Sequence, residues 1–309
     1  MKLPRTLLLL LLISLAGLSY GADKSKESEA ESIAARLKFQ KGEIVLKNGL
    51  ATLKVPDDMR FLNGPDAATV LVNLWGNPPR DEVPLGMLMP ANAGPLDPNS
   101  WAVVITYEED GYIKDHDAET IDYGDLLKQM QKEVLAANSE RQKKGFGTME
   151  LIGWAAPPRY DKATHKLYWA KEYKFNSAGE NTLNYNIRML GRRGVLVLNA
   201  IGAMTQLPEV EQATPAILAA IDFNPGNRYA DFSEAGGDKI ASYGLGALVA
   251  GGVAAKLGFF KGLWILILGA KKFVIVGVVA IAAWFKKMFG KKDQVSGPGP
   301  GAESGSVGS

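Results

Sequence analysis

The chain has no cysteine. That single absence excludes disulfides, thiolate metal sites, a cysteine nucleophile and a lipoprotein-type lipid anchor. A folded domain here must be stabilised by its core alone. Histidine is scarce as well: only His116 and His165 occur, so a protease-type triad would have to use one of them. Nucleotide-binding loops are missing. Gly145-Phe146-Gly147 and Gly191-Arg192-Arg193-Gly194 fit neither a P-loop nor a dinucleotide fingerprint and read as hairpin turns. No cofactor is expected. One hydrolase-like match, Gly17-Leu18-Ser19-Tyr20-Gly21, lies in a segment expected to be removed and has no strand before it.

Acidic residues are absent from the C-terminal region. Between Lys239 and Asp293 there are eight lysines and no Asp or Glu. Residues 22–239 carry 25 basic against 31 acidic side chains, a net charge of about −6. An acidic domain is a poor binder of nucleic acid, so no nucleic-acid partner is expected. A basic apolar segment suits the anionic inner face of a membrane.

What the chain does have begins with an address. Lys2 and Arg5 precede an apolar run over residues 7–15, and the small residues Ser19 and Gly21 follow. This pattern predicts a secretory signal over residues 1–21, cleaved after Gly21. Residues 22–239 then read as a periplasmic α+β domain. Residues 22–35 are a polar lead-in or short helix. Strands are predicted at 43–46 and 51–55 around the turn Lys47-Asn48-Gly49, and at 101–107. A short helix is predicted over 65–75, with a brief apolar piece at 85–89.

The clearest helix runs from 122 to 143. Leu126, Leu127, Met130, Val134 and Ala137 keep the helical period, and Asp122 is placed to cap it. A second helix is predicted over 208–221, bent at Pro215. Between them, Leu167, Trp169, Tyr173 and Phe175 alternate with polar or small residues, as do Leu183, Tyr185, Ile187 and Met189. Residues 149–201 therefore read as an antiparallel meander of about four strands, with 195–201 central because it is apolar on both faces. Helices flanking an antiparallel sheet make an α+β fold. This order of elements resembles the Mog1/PsbP-like fold.

Residues 240–260 are apolar with one charge, Lys256, near the end, and predict a C-terminal transmembrane helix. Gly246, Ala250 and Ala254 fall four apart, as do Ala247, Gly251 and Ala255, which predicts a helix-packing face. Residues 261–290 form a lysine-interrupted membrane-associated segment. Lys271 and Lys272 sit in the middle of residues 263–285, so this stretch is either an interfacial helix or a second span. A single crossing puts Lys286 and Lys287 in the cytoplasm, as the positive-inside rule prefers, with Lys256 and Lys261 at the interface. Residues 291–309 read as a disordered tail.

Several phrases occur together: Asp110-Gly111-Tyr112-Ile113-Lys114-Asp115, Asp117-Ala118, Gly153-Trp154, Pro157-Pro158-Arg159-Tyr160-Asp161, and residues 238–252 beginning Asp238-Lys239-Ile240. They resemble a bacterial family of uncharacterised membrane-anchored proteins, domain of unknown function 2167. The resemblance covers residues 44–287 and implies an envelope location and a C-terminal anchor. It implies no catalytic residues.

Candidate chemistry is sparse. Asp115, Asp117 and Glu119 surround His116 in a charged loop that offers oxygen ligands to a divalent cation, although EF-hand spacing is missing. The plainer reading is solvated charge at a helix N-terminus. His165 reads as a surface residue at a turn. Trp154, Tyr160, Tyr168, Trp169, Tyr173 and Tyr185 read as core beneath a helix, or else as a glycan- or peptide-binding sheet face. Three functional expectations follow. The first is a non-enzymatic interaction or assembly module at the inner membrane, binding an envelope protein or itself. The others are an envelope hydrolase or other enzyme with an unfamiliar site and a transport or membrane-remodelling role.

Overall fold

The period-two pattern of the second half of the chain becomes the centre of one large sheet. The computed structural model describes residues 24–250, apart from 78, 80, 81, 177 and 178. The predicted signal, the segment 251–290 and the tail lie outside the described residues.

The chain enters through helix α1 (Lys24–Ala35) and strands β1 (Phe39–Gln40), β2 (Glu43–Leu46), β3 (Ala51–Lys54) and β4 (Met59–Asn63). Helix α2 (Gly64–Thr69) follows, continued by a turn of π-helix, Val70–Leu74. Next come β5 (Gly86–Pro90), β6 (Ala102–Glu108) and the long helix α3 (Tyr123–Lys143). The meander is β7 (Met149–Asp161), β8 (Lys166–Phe175), β9 (Thr182–Leu190) and β10 (Val195–Ala203). Helix α4 (Leu207–Ala220), strand β11 (Ile221–Phe223) and helix α5 (Leu245–Ala250) complete the described chain.

Eight strands form an antiparallel sheet in the order β1-β4-β5-β6-β10-β9-β8-β7. Strand β10 is central, between β6 and β9, as its two apolar faces require. A second sheet, β11-β3-β2, lies with α4 over one face of the first and encloses Leu53, Phe61, Trp101, Ile105, Leu198 and Ile217. The opposite face is covered in two parts. The α2 region packs on β4, β5 and β6 through Val70, Leu71 and Trp75. Helices α3 and α5 cover the meander through Met130, Val134, Leu245 and Leu248.

Two local features hold α3 where it is. Asp122 caps it, its Oδ1 accepting from the Gly124 and Asp125 amides at 2.9 Å. Its polar side chains then bond the backbone of the edge strand β7. The Asn138 amide donates to Met149 O at 2.8 Å and its oxygen accepts from Met149 N at 2.9 Å. Gln131 donates to Leu151 O and Ile152 O at 3.2 and 3.1 Å. An edge strand left bare invites pairing with another chain. Here side-chain amides occupy its first half, and Pro157 and Pro158 with register shifts interrupt its second.

The structure departs from the sequence reading in one strand. Alternation in β9 suggests one apolar and one open face, but all its residues are buried. Asn184, Asn186 and Arg188 lie beneath the helices, not in solvent.

Candidate functional site

The phrases 110–118, 153–161 and 238–250, far apart in sequence, meet at one end of the sheet. The backbone joins them first. Tyr112 N donates to Lys239 O and Ala241 N to Tyr112 O, both at 2.8 Å. Gly111 adopts φ +103°, and a Cβ there would stand 2.6 Å from Lys239 O, so the close approach needs glycine. The Tyr243 hydroxyl donates to Asp110. Asp117 closes the junction by accepting from the first amides of α5, Leu245 N at 3.1 Å and Gly246 N at 3.3 Å.

A further carboxylate ties this C-terminal stretch to the β9–β10 turn. The Asp238 side chain is 3 % exposed and meets Arg192 Nε at 2.6 Å and Arg193 Nε at 3.2 Å. It also accepts from Ser233 N at 2.8 Å. The hydrogen bond from Arg192 lowers its pKa to about 2, against burial, which pushes it up. A carboxyl depressed in the folded state contributes stability above its ordinary pKa and loses it as pH falls towards the folded value. Asp238→Asn is expected to lower the urea midpoint at pH 7, with the gap to wild type narrowing as pH drops from 4 towards 2. A gap of constant size across that range would show that the carboxylate's charge is not what matters.

Beside this junction lies a stack of aromatic rings. His165 sits on Tyr229 with centroids 4.0 Å apart, Tyr229 on Tyr112 at 4.4 Å, and Tyr112 on Phe232 at 3.9 Å. The β7–β8 turn positions His165, which takes φ 51°. Asp161 builds that turn by accepting from Ala163 N at 2.9 Å and the Thr164 hydroxyl at 2.8 Å. The Tyr160 hydroxyl then lies 2.8 Å from Asp115 Oδ2, to which it donates, and 3.1 Å from His165 Nδ1. Burial first, and then the bond to Asp115, push the Tyr160 pKa well above its ordinary value. The phenol is held as a proton donor to Asp115 and is poorly suited to act as a base. His165 is thus half-buried in a stack and not the surface residue expected. The short Tyr160-to-His165 spacing across a tight turn was visible in the sequence. Asp115 and Tyr229, which complete the group, were not.

The acidic loop divides among different tasks. Asp115 faces Tyr160, Asp117 caps α5, and Glu119 and His116 are exposed. Among the described residues, no group of three or more His, Asp or Glu side chains is placed to hold a metal ion. The aromatic residues of the meander are mostly core. Trp169 and Tyr173 are buried under the helices, and Tyr168 and Tyr185 lie on the opposite face.

The described residues reach only the first part of the predicted span 240–260. Ile240 pairs with Tyr112, and Ala241, Leu245, Leu248 and Val249 are buried in the domain with Ile113, Leu167, Trp169 and Val197. Among the described residues, no helix is long and apolar enough to cross a membrane. The small residues Gly246, Ala247 and Ala250 fall on α5. Ala250 is buried, and a Cβ on Gly246 would stand 3.6 Å from Ile121, so this helix packs on its own chain. Gly251, Ala254, Ala255, Lys256, Lys261, Lys271, Lys272, Lys286 and Lys287 lie outside the described residues.

Beneath α3 and α5 the sheet is polar, a site that no motif announced. Lys171 on β8 and Arg188 on β9 are buried, with 3 % and 9 % exposure. Both reach the ring of Trp169: Lys171 Nζ is 5.9 Å and Arg188 Cζ 5.0 Å from its centroid. Lys171 Nζ donates to Val249 O at 3.4 Å and to the Met130 sulfur at 3.8 Å, both long. Burial lowers its pKa to about 7; nearby Arg188 adds to that, while Glu133 pulls the other way. Asn186, opposite Trp169 on β8 and Asn199 on β10, donates to the Asn184 side chain at 2.7 Å. Arg188 Nε, Trp169 Nε1 and Asn199 Oδ1 are buried without a hydrogen-bond partner among the described residues.

No curated protein matches this chain. Among solved structures, cyanobacterial PsbP from Synechocystis sp. PCC 6803 is 12% identical, covering 61% of this chain and 92% of its own, with a TM-score of 0.32. LpqN of Mycobacterium tuberculosis, a protein involved in cell envelope biogenesis, is 16% identical over 63% of this chain and 96% of its own, with a TM-score of 0.31. The Ran-binding protein Mog1p of Saccharomyces cerevisiae is 10% identical over 64% and 100%, with a TM-score of 0.32. Likenesses this faint say nothing of activity. The sequence itself is more specific: the profile described as "Protein of unknown function (DUF2167)" matches residues 38–282, and the chain belongs to that family.

Proposed function

We propose that this chain is a non-enzymatic interaction or assembly module of the bacterial envelope. Its α+β domain is exported, and its C-terminal apolar segment holds that domain at the inner membrane. The observation that carries this reading is the way α5 is built in. Asp117 caps the helix, its apolar side chains enter the core, and the chain then runs directly into residues 251–285, where lysines are the only charges. A domain followed directly in sequence by such an apolar segment suits a module that is kept at the membrane and presents a surface to an envelope partner or to a second copy. In this reading the crossing falls within residues 251–285, and the positive-inside rule favours Lys286 and Lys287 on the cytoplasmic side.

The hydrolase alternative has less support. In the histidine–carboxylate grouping seen among the described residues, the Tyr160 hydroxyl donates to Asp115 and the imidazole stacks on Tyr229. Alkaline phosphatase fusions test the topology. A fusion after Ala255 is expected to be active and one after Lys292 inactive. Activity at Lys292 would defeat the single crossing, and inactivity at both would defeat export.

A further inference from the structure

We propose that the face beneath α5 is a phosphate-binding site, formed by Lys171, Arg188 and Trp169 with the Asn186–Asn199 pair at its edge. Two like charges are buried on one face of the sheet, and both reach the ring of Trp169. Like charges near one another in a low-dielectric interior repel, and burial makes each more costly still. Neither cation forms an ion pair among the described residues. Among the described residues the Arg188 Nε and Trp169 Nε1 donors have no partner, and Lys171 spends its ammonium on two long contacts. Native interiors leave few such groups unsatisfied, and each has to be explained.

The unmet groups are mostly donors, so the missing partner is an acceptor with negative charge. A phosphate fits better than a carboxylate. Its several oxygens can take Lys171 Nζ, Arg188 Nε and the indole N–H together. A singly protonated phosphate also offers a hydroxyl to Asn199 Oδ1, the one unpartnered acceptor in the group. Glu133 on α3 and Glu108 on β6 are the carboxylates whose fields reach the two cations, and Tyr243 also faces Arg188. The lowered pKa of Lys171 agrees with an amine awaiting an anion, since a bound phosphate would restore its charge. Met130 and Val249, both buried, touch the Lys171 ammonium and bring apolar surface to the group. The phosphate can therefore come from a free anion or from the head of an amphiphile.

The test uses the full chain in an uncharged detergent. Thermal unfolding is followed against inorganic phosphate, hexyl phosphate and hexylammonium, for wild type, Lys171→Met and Arg188→Met. A saturable rise in Tm with one or both phosphates is expected, and none with hexylammonium. Each variant should weaken the response roughly tenfold or more, as loss of a charge-assisted bond requires. Saturation by inorganic phosphate identifies a free anion as sufficient. Saturation by hexyl phosphate alone identifies a phosphate carried on an apolar chain. No saturable response to either phosphate, or equal responses in wild type and both variants, overturns the proposal. Cooperative unfolding of each variant shows that it is folded.

Discussion

Replacing Lys171 with methionine is expected to stabilise the domain at pH 7 by on the order of 4 kcal/mol, and to flatten its pH dependence between 7 and 10. In the folded protein the amine has a pKa of about 7, whereas its ordinary value is 10.5. Between those values the unfolded chain binds a proton that the folded chain does not. Stability therefore rises with pH across this window. The destabilisation is complete below about 7 and disappears as pH passes the ordinary lysine value. Methionine keeps the apolar stem and removes the titration, in line with the gain often seen when a buried charge is replaced by a hydrophobe. Tyrosines set the upper limit of the measurement. Burial raises Tyr107 to about 12 and moves Tyr173 in the same direction, so their ionisation in the unfolded chain reduces stability above pH 10. Urea titrations at pH 7, 8, 9 and 10 check the prediction. A wild-type profile already flat over that range, or a variant with a lower midpoint at pH 7, contradicts it.

The second large effect is expected from truncation. A chain covering residues 24–239, the boundary drawn from hydropathy, should fail to unfold cooperatively and should bind a hydrophobic dye. A chain covering 24–255 should do neither. The shorter chain lacks Leu245, Leu248 and Val249, all nearly inaccessible to solvent. Each contributes roughly 1.5–3 kcal/mol when fully buried. Their sum approaches the whole stability of an ordinary domain, about 5–15 kcal/mol. Trp169, Leu167 and Val197 lose their cover in the same step. Exposure of Lys171 relieves its own burial and offsets part of this loss. The apolar surface uncovered on both sides of the interface is the larger quantity. Equal urea midpoints for the two chains would mean that α5 is only leaning on the sheet.

The meander was legible because its alternation is local. Leu183, Tyr185, Ile187 and Met189 can share a face only if the chain is extended, and β9 pairs as that pattern requires. Helix α3 was legible for the same reason: the helical period and the Asp122 cap lie within one stretch of chain. Alternation shows which face of a strand is apolar, but it cannot show what covers the other face. Asn184, Asn186 and Arg188 look like an open face until α3 and α5 are placed over them.

The candidate sites follow the same rule. Tyr160 and His165 are near in sequence, but their partners Asp115 and Tyr229 come from other elements and only the fold brings them together. Lys171 resembles any other strand lysine until its surroundings are known.

The sequence by itself determined the family, the α+β class, the central position of β10 and the apolar, lysine-only C-terminal region. Each depends on neighbouring residues or on composition. The tertiary structure decided that residues 240–250 pack on the sheet and which charges lose their water. Residues 240–250 have a composition that suits either a bilayer or a protein core, since both reward the same side chains. What separates the two is the presence of a matching surface. Here Asp117, Tyr112 and the Trp169 face supply one, and residues 240–250 pack against it.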